Sequence, residues 1–408
     1  MTEFQYCCSR CGRTYGRDEV RYLCPECGPA YKPGMPLVGV LEVELDYRAI
    51  AERFERARPD WDLFSPVERK YFPVYPAGGT PFSPAPRLGE HLGRPRLWIK
   101  NDGLNPSGSL KDRASLLLVA EAARLGEKTL VAASTGNAAS SLAAVCAAAG
   151  CRAVIFVPQS APRAKLVQML ICGARVVPVR GSYDDAFRLS LEYTRRRGGL
   201  NRNTAYHPLT IEGKKTAGLE IFAQNEMHVP DAILVPVGDG VIISGIYKAF
   251  HDLRAAGLCE RLPRLIAVQA ESSAAIHDYI VSGTFRPALS PATIADSISV
   301  SVPSNPDLAR RAVLESGGFS LTVSDERILE AQALLASKAG VFAEPAAAAA
   351  AAALLTDEAR ERLDPDWQIV ILVTGHGLKD VEAPLSRLRI PEAVAADFAA
   401  LPPETAEN

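Results

Sequence analysis

The chain has 408 residues, enough for about two or three domains, and its 48% hydrophobic and 23% charged residues are ordinary for a globular protein. Forty-five basic residues against 47 acidic ones leave a formal charge of −2, which excludes a protein that holds nucleic acid or an anionic membrane by bulk charge. High apolar content with small net charge likewise excludes a mostly disordered chain.

The N-terminus, MTEFQYCCSRCG, has no apolar segment behind a basic start, so no signal peptide is expected. Five of the nine cysteines lie in the first 27 residues: Cys7, Cys8, Cys11, Cys24 and Cys27. Cys8-x2-Cys11 followed after twelve residues by Cys24-x2-Cys27 supplies four thiolates, the set that closes a tetrahedral structural zinc site. Cys7 could replace Cys8, but only Cys8 gives the two-residue gap, and a metal-free loop is the plainer alternative. Residues 1–35 are too few to bury a core of their own. The remaining cysteines, Cys146, Cys151, Cys172 and Cys259, sit among apolar neighbours and are read as small buried hydrophobes in a reducing, cytoplasmic compartment.

Residues 36–79 form a connector, with the amphipathic stretch DYRAIAERFERAR followed by proline-punctuated segments. From Thr80 the pattern changes. LWIK, TLVAAS, RAVIFVP, ARVVPV, DAILVPVG, RLIAVQA and QIVILVTG are short apolar runs, and between them lie helical segments such as ASLLLVAEAARLG, AASSLAAVCAAAG, AKLVQMLICG and IISGIYKAFHDLRAAG. Such alternation predicts parallel sheets covered on both faces, and its extent predicts two α/β lobes with a cleft between them. GVFAEPAAAAAAAALL is mostly alanine and is broken by Glu344 and Pro345, so it is read as a buried helix and not a membrane span. The end, residues 391–408, reads as an acidic tail.

Several turns in this pattern can carry chemistry. Asn105-Pro106-Ser107-Gly108-Ser109-Leu110-Lys111 lies between a strand and a helix. Lys111 at a helix N-terminus is disfavoured as an ammonium and easier to use as an amine nucleophile; a solvated lysine is the plainer reading. Ser134-Thr135-Gly136-Asn137 opens a helix and suits a carboxylate, or is an ordinary cap. The loop from Gly238 to Gly245 can cradle a phosphate, although the Walker lysine is missing. At Val373-Thr374-Gly375-His376-Gly377, Thr374 is the expected ligand contact and His376 a structural group.

In this order, Gly79-Thr80-Pro81, NPSGSLKDR, STGN, the glycine loop, EGKKT at Glu212–Thr216, FAEP at Phe342–Pro345 and TGHGLKD resemble the threonine synthase-like family of fold-type II pyridoxal-phosphate-dependent enzymes. The resemblance runs from about Gly78 to Asp380, and the N-terminal cysteines followed by LEVELDY also look like the start of such chains. It implies an α/β, two-lobed, tryptophan synthase β-like fold with parallel-type sheets and a small N-terminal zinc-ribbon-like unit. The implied large cofactor-binding domain takes residues 80–115 and 205–390, and the small mobile domain residues 116–204.

It also implies roles. Lys111 would bind pyridoxal phosphate covalently and then carry a proton. Asn137 would meet the cofactor's 3′-oxygen, Gly238, Asp239, Gly240, Val241, Ile242 and Ile243 its phosphate, and Thr374 its ring nitrogen. Ser134, Thr135 and Gly136 would hold the substrate carboxylate. The implied reaction is a lyase-type elimination and replacement in amino-acid biosynthesis, with O-phosphohomoserine and water giving threonine and phosphate. The expected partners are a small amino-acid substrate and a second copy of the chain in a homodimer, with no nucleic acid and no membrane.

Two departures bear on this reading. Thr210 stands two positions before Glu212, where the family usually has an arginine held to bind the substrate phosphate. Thr210 and Lys214 therefore become the substrate-side candidates, and Arg202 or Lys215 could also supply the cation. Asp239 in the glycine loop would repel a phosphate, so it is expected to turn away or cap the next helix. The rival within the same chemistry is a paralogue doing β-replacement or β-elimination on another amino acid, for example a cysteate-synthase-like enzyme. A different class of reading makes the chain a binding protein whose ribbon, through Arg10, Arg13, Arg17 and Arg21, contacts nucleic acid.

Overall fold

A computed structural model describes residues 3–159, 163–385, 388–393 and 395–396; of the expected tail, the other positions lie outside the described residues. In chain order the strands are β1 (Phe4–Cys8), β2 (Thr14–Gly16), β3 (Leu41–Leu45), β4 (Phe82–Pro84), β5 (Leu97–Asn101), β6 (Thr129–Ala133) and β7 (Arg152–Pro158). They continue with β8 (Arg175–Val179), β9 (Leu200–Asn201), β10 (Ala232–Pro236), β11 (Arg264–Ala270), β12 (Phe319–Val323) and β13 (Ile369–Val373).

These strands build three sheets among the described residues. The largest has the order β12-β11-β10-β13-β5-β4, parallel except for β4. A second, all parallel, has the order β8-β7-β6-β9. The central strands β10 and β13 are buried along their whole length, as continuous apolar runs covered on both faces must be. The alanine run forms the buried helix Pro345–Ala352. No described helix is long and apolar enough to cross a membrane.

The third sheet is antiparallel, β2-β1-β3, and belongs to the N-terminal unit. Because β3 pairs along β1 from Phe4↔Leu45 to Cys8↔Leu41, this unit draws on residues beyond position 35. It does not stand apart: Tyr6, Cys8, Tyr15 and Cys24 are buried in the same apolar cluster as Leu118, Phe222 and Phe250.

Four helices frame the site: Lys111–Arg124, Asn137–Ala149, Leu209–Gln224 and Val241–Ala255. Gly213 explains how closely two of them approach, since a Cβ there would lie 2.4 Å from the Ala114 Cα.

Candidate active site

Lys111 is the first residue of its helix, at the end of the turn that follows β5. That turn is fixed from both sides. The Asp112 carboxylate accepts from the Ser107 N–H at 2.7 Å and from the Ser107 hydroxyl. The Leu110 N–H donates to the Thr374 carbonyl at 2.9 Å, and the His376 N–H to the Gly108 carbonyl at 2.9 Å. NPSGSLK and TGHG are thus one surface, with Lys111 held by a backbone that has little freedom.

Lys111 keeps some exposure into a cavity of about 560 Å³, whose walls include Ser134, Gly136, Asn137, Thr204 and Asp239. Burial pushes its ammonium below the ordinary lysine value; Asp239 opposes that shift, Arg202 reinforces it, and Glu344 opposes it. Beside it lie two cations with nothing to neutralise them fully. Lys214 is completely buried, and its Nζ has no hydrogen-bond partner among the described residues. Burial, then Lys111 and Arg202, drive its pKa well down. Arg202 is 1% exposed. It donates from Nε to the Ser115 hydroxyl at 3.4 Å and from Nη1 to the Thr204 hydroxyl at 3.2 Å, while Nη2 has no partner among the described residues. Burial brings Arg202 down to about 10. Buried cations without partners are costly unless an anion enters to meet them.

The glycine loop sits opposite. A Cβ at Gly238 would come 2.9 Å from the Ile298 Cα, and one at Gly240 (φ +84°) 2.6 Å from the Asn305 carbonyl, so the protein's own packing already requires both glycines. The first turn of the helix Val241–Ala255 leaves its N–H groups without intrahelical acceptors. The side chains of Val241 and Ile243 are buried in the core and Ile242 is half-buried against it, so the polar groups this turn can offer an anion are its backbone N–H groups. Asp239 departs from expectation. It does not cap the helix and lines the Lys111 cavity instead, with Lys111, Arg202 and Lys214 as its electrostatic neighbours. Arg202 beside it, with Lys111 and Lys214 able to take up a proton when an anion arrives, makes that position tolerable.

Asn137 opens its helix, and its side-chain amide donates to both carboxylate oxygens of Glu344, at 2.9 and 3.0 Å. Glu344 sits directly over Gly375, where a Cβ would lie 2.2 Å from its Oε1. Gly136 faces open space. Asn137 and Ser297 border both the Lys111 cavity and a neighbouring cleft of about 690 Å³ that reaches His376 and Lys379. Thr374 is buried, with its carbonyl taken by Leu110, and His376 accepts from the Leu378 N–H at 3.1 Å.

Some motif residues serve the scaffold. Arg113 meets Asp102 with two hydrogen bonds of 2.6 and 2.9 Å and Glu220 with two of 2.7 Å, and also donates to Thr80 and Thr216. GTP, KDR and EGKKT are therefore joined by one buried network. Lys215 is held by Glu212 and by Asp252 at 2.9 Å, so it is no spare cation. Thr210 needs correction as a substrate contact. It is fully buried, its hydroxyl donates to the His207 carbonyl at 2.8 Å and accepts from the Ala205 N–H at 3.0 Å, and both bonds shape its own loop. The cations in that region are Arg202 and Lys214.

In the N-terminal unit, Cys8, Cys11, Cys24 and Cys27 bring their sulfurs within 4.8 Å of one another. The Cys11–Cys24 separation of 3.9 Å is close to the roughly 3.8 Å that four sulfurs about 2.3 Å from a tetrahedral zinc would have. The donor set fits that metal, and Cys7 lies outside it.

The Lys111 cavity offers a positioned amine and an amide, with a glycine loop and a helix N-terminus at Asp239–Val241, a set that fits an aldehyde-bearing phosphate such as pyridoxal phosphate. Comparison with known proteins bears on the same region. Residues 75–375 match the family model described as pyridoxal-phosphate dependent enzyme. The threonine synthase of Methanosarcina acetivorans is 36% identical over 403 residues, covering 97% of this chain and 96% of its own. That of Methanocaldococcus jannaschii is 35% identical, covering 96% of each. Among solved structures, maize serine racemase superposes with a TM-score of 0.65 at 24% identity, covering 76% of this chain and 91% of its own. Threonine deaminase isoform 2 of Solanum lycopersicum gives 0.66 at 23%, covering 80% and 89%; these two likenesses concern the fold alone.

Proposed function

The chain belongs to the threonine synthase-like family of pyridoxal-phosphate dependent enzymes, and from that premise we propose that it converts O-phosphohomoserine and water to threonine and phosphate. The observation that carries the choice of a phosphorylated substrate is the pair of buried cations, Arg202 and Lys214, without full partners beside Lys111. A substrate with an uncharged leaving group would leave them unmatched.

When bound, pyridoxal phosphate supplies an electron sink that acidifies the Cα–H of an attached amino acid. The residues of this chain do the rest. Lys111 Nζ, eased toward the neutral amine by burial, is the group that would hold the cofactor and would accept the proton of the substrate Cα. The Ser134–Gly136 turn receives the substrate carboxylate at the start of its helix. Asn137, held by Glu344, would meet the cofactor's 3′-oxygen. Thr374 would offer its ring nitrogen a hydroxyl, a group that does not impose a protonated ring. The N–H groups of the first turn from Gly240 to Ile243 would receive the cofactor phosphate, and Arg202 and Lys214 would steady the phosphate that leaves. A Cβ–H bond breaks as the phosphate departs from Cγ with the C–O electron pair, water then adds its hydroxyl at Cβ, and protons return to Cγ and Cα, so the atoms balance.

Continuous assay of phosphate release with O-phosphohomoserine tests this reading. Equimolar threonine and phosphate are expected. Cofactor-loaded protein that releases no phosphate would move the assignment to a β-replacing or β-eliminating paralogue, the reading favoured by the absence of the usual arginine at Thr210.

Three further expectations belong to this reading: zinc held by the four cysteines, a homodimer, and a mobile lobe built on the sheet of β6–β9 within residues 116–204. The cytoplasmic setting inferred from the scattered thiols accompanies them. Metal analysis and sedimentation of the purified holoenzyme test the first two.

A further inference from the structure

The loop that carries Arg202 is poorly suited to hold itself. It begins at β9, a strand of two residues at the edge of its sheet, and Ala205 within it has φ +62°, a left-handed conformation costly for a residue with a Cβ. Its middle is tied to the small sheet and its helices, by the Arg202 N–H to the Val131 carbonyl at 2.7 Å and by Asn203 to Ala133 and Ser190, and its two ends are held by the N-terminal unit. Tyr22, on the segment between Cys11 and Cys24, accepts a hydrogen bond from the Asn201 N–H at 3.0 Å. Its ring stacks on Tyr206 at 4.6 Å and meets His207 edge-on at 5.6 Å. Both ends of the Arg202 loop are thus gripped by one side chain of the cysteine unit.

The same unit reaches the Lys111 cavity by a second route. Tyr31, Gly34, Met35 and Leu37 form part of the cavity wall. The chain then passes Gly39, whose carbonyl accepts from the Cys24 N–H at 2.8 Å, and where a Cβ would lie 2.8 Å from the Cys27 Cβ. The unit is anchored to the Lys111 helix as well, through Arg17–Glu121 at 3.2 Å and Asp18–Arg124 at 2.5 Å, and to the loop after it through Arg21–Glu127 at 3.2 Å.

We propose that the N-terminal cysteine unit is a strut of the active site, with Tyr22 as a positioning residue that holds Arg202 where it takes a phosphate group. This rests on the reading of Arg202 as a phosphate ligand. The cysteine cluster then has a task beyond local stability: it fixes the base from which Tyr22 and the Tyr31–Leu37 wall project.

The test is titration calorimetry of the holoenzyme with inorganic phosphate, alongside its cofactor absorption and metal content. Removing the ring and its hydroxyl in Tyr22→Ala should weaken phosphate binding about tenfold, with cofactor content retained. Tyr22→Phe keeps the stacking and should stay within about threefold of the parent. Tyr206→Leu, which removes the stacking partner without touching the cysteine loop, should reproduce the Tyr22→Ala loss and stands in for it if that variant does not fold. Steady-state kinetics should show the change in KM for a phosphorylated substrate and little in kcat, a split that general destabilisation would not produce. If Tyr22→Ala and Tyr206→Leu bind phosphate like the parent while Arg202→Met does not, the strut is overturned and the reading of Arg202 stands. If Arg202→Met also binds phosphate like the parent, that reading fails first.

Discussion

Replacing Lys214 by methionine should make the cofactor-free protein more stable and its grip on phosphate weaker. The Lys214 amine is fully buried without a hydrogen-bond partner among the described residues, and an unsatisfied buried polar group costs about 1–3 kcal/mol. Methionine keeps the unbranched stem, which lies against Gly245, where a Cβ would come 2.8 Å from the Lys214 Cβ. The gain for Lys214→Met is therefore about 1–3 kcal/mol at neutral pH. Burial first, then Lys111 and Arg202, lower the folded-state pKa of Lys214 well below its ordinary value, against the pull of Asp239. Between that depressed value and about 10.4 the unfolded chain binds more protons than the folded one, so parental stability rises with pH across this window. The variant lacks that rise, and its advantage should shrink as the medium becomes alkaline. Once an anion is bound, the lost charge-assisted hydrogen bond is worth about 1.5–3 kcal/mol, or about 10- to 150-fold in affinity. Thermal melting of both cofactor-free proteins over a pH series, with a phosphate titration beside it, reads both effects. A variant less stable than the parent at neutral pH, with unchanged phosphate affinity, would overturn this view of Lys214.

Arg113→Met leaves Asp102 and Glu220 without their shared cation; a loss of about 3–5 kcal/mol in thermal unfolding is expected, and a loss below about 1 kcal/mol would show the network to be dispensable. Gly375→Ala places a Cβ 2.2 Å from Glu344 Oε1, so Glu344 must leave Asn137; cofactor affinity should fall by about tenfold or more, and unchanged affinity would separate that contact from binding. Burial first, and Arg21 next, push His207 down to about 3. Because the unfolded chain takes up a proton there near pH 6.5 and the folded one does not, stability should fall as the pH drops from about 6.5 toward 3. His207→Gln should flatten that acid limb of the melting profile, and an unaltered limb would contradict the burial argument.

Much of the fold could be read from the chain because its central strands are uninterrupted apolar runs; β10 and β13 follow DAILVPV and QIVILV closely. The other strands, outside such runs, were not legible. FSLTV alternates polar and apolar residues and became β12 through pairing with β11, while β4 and β9 are three and two residues long. The connector reading hid β3, because LEVEL becomes a strand only when β1 lies beside it. At the site, local motifs marked Lys111, Asn137 and the glycine loop. The partnership of Asn137 with Glu344 spans 207 positions, and the Arg202–Lys214–Asp239 cluster joins separate elements, so neither has a local signature. Conversely, a threonine in an arginine's place suggested a substrate contact at Thr210, whose hydroxyl is spent within its own loop.

The central claim concerns one amine. Lys111 and Lys214 are neighbours with lowered pKa values; Lys111 is on the wall of the open cavity, whereas Lys214 is fully buried beside it. Borohydride reduction of the cofactor-loaded protein, followed by proteolysis and mass spectrometry, identifies which lysine is joined to the cofactor. The account predicts the reduced pyridoxyl adduct on Lys111 alone; an adduct on Lys214, or none on either, would contradict it.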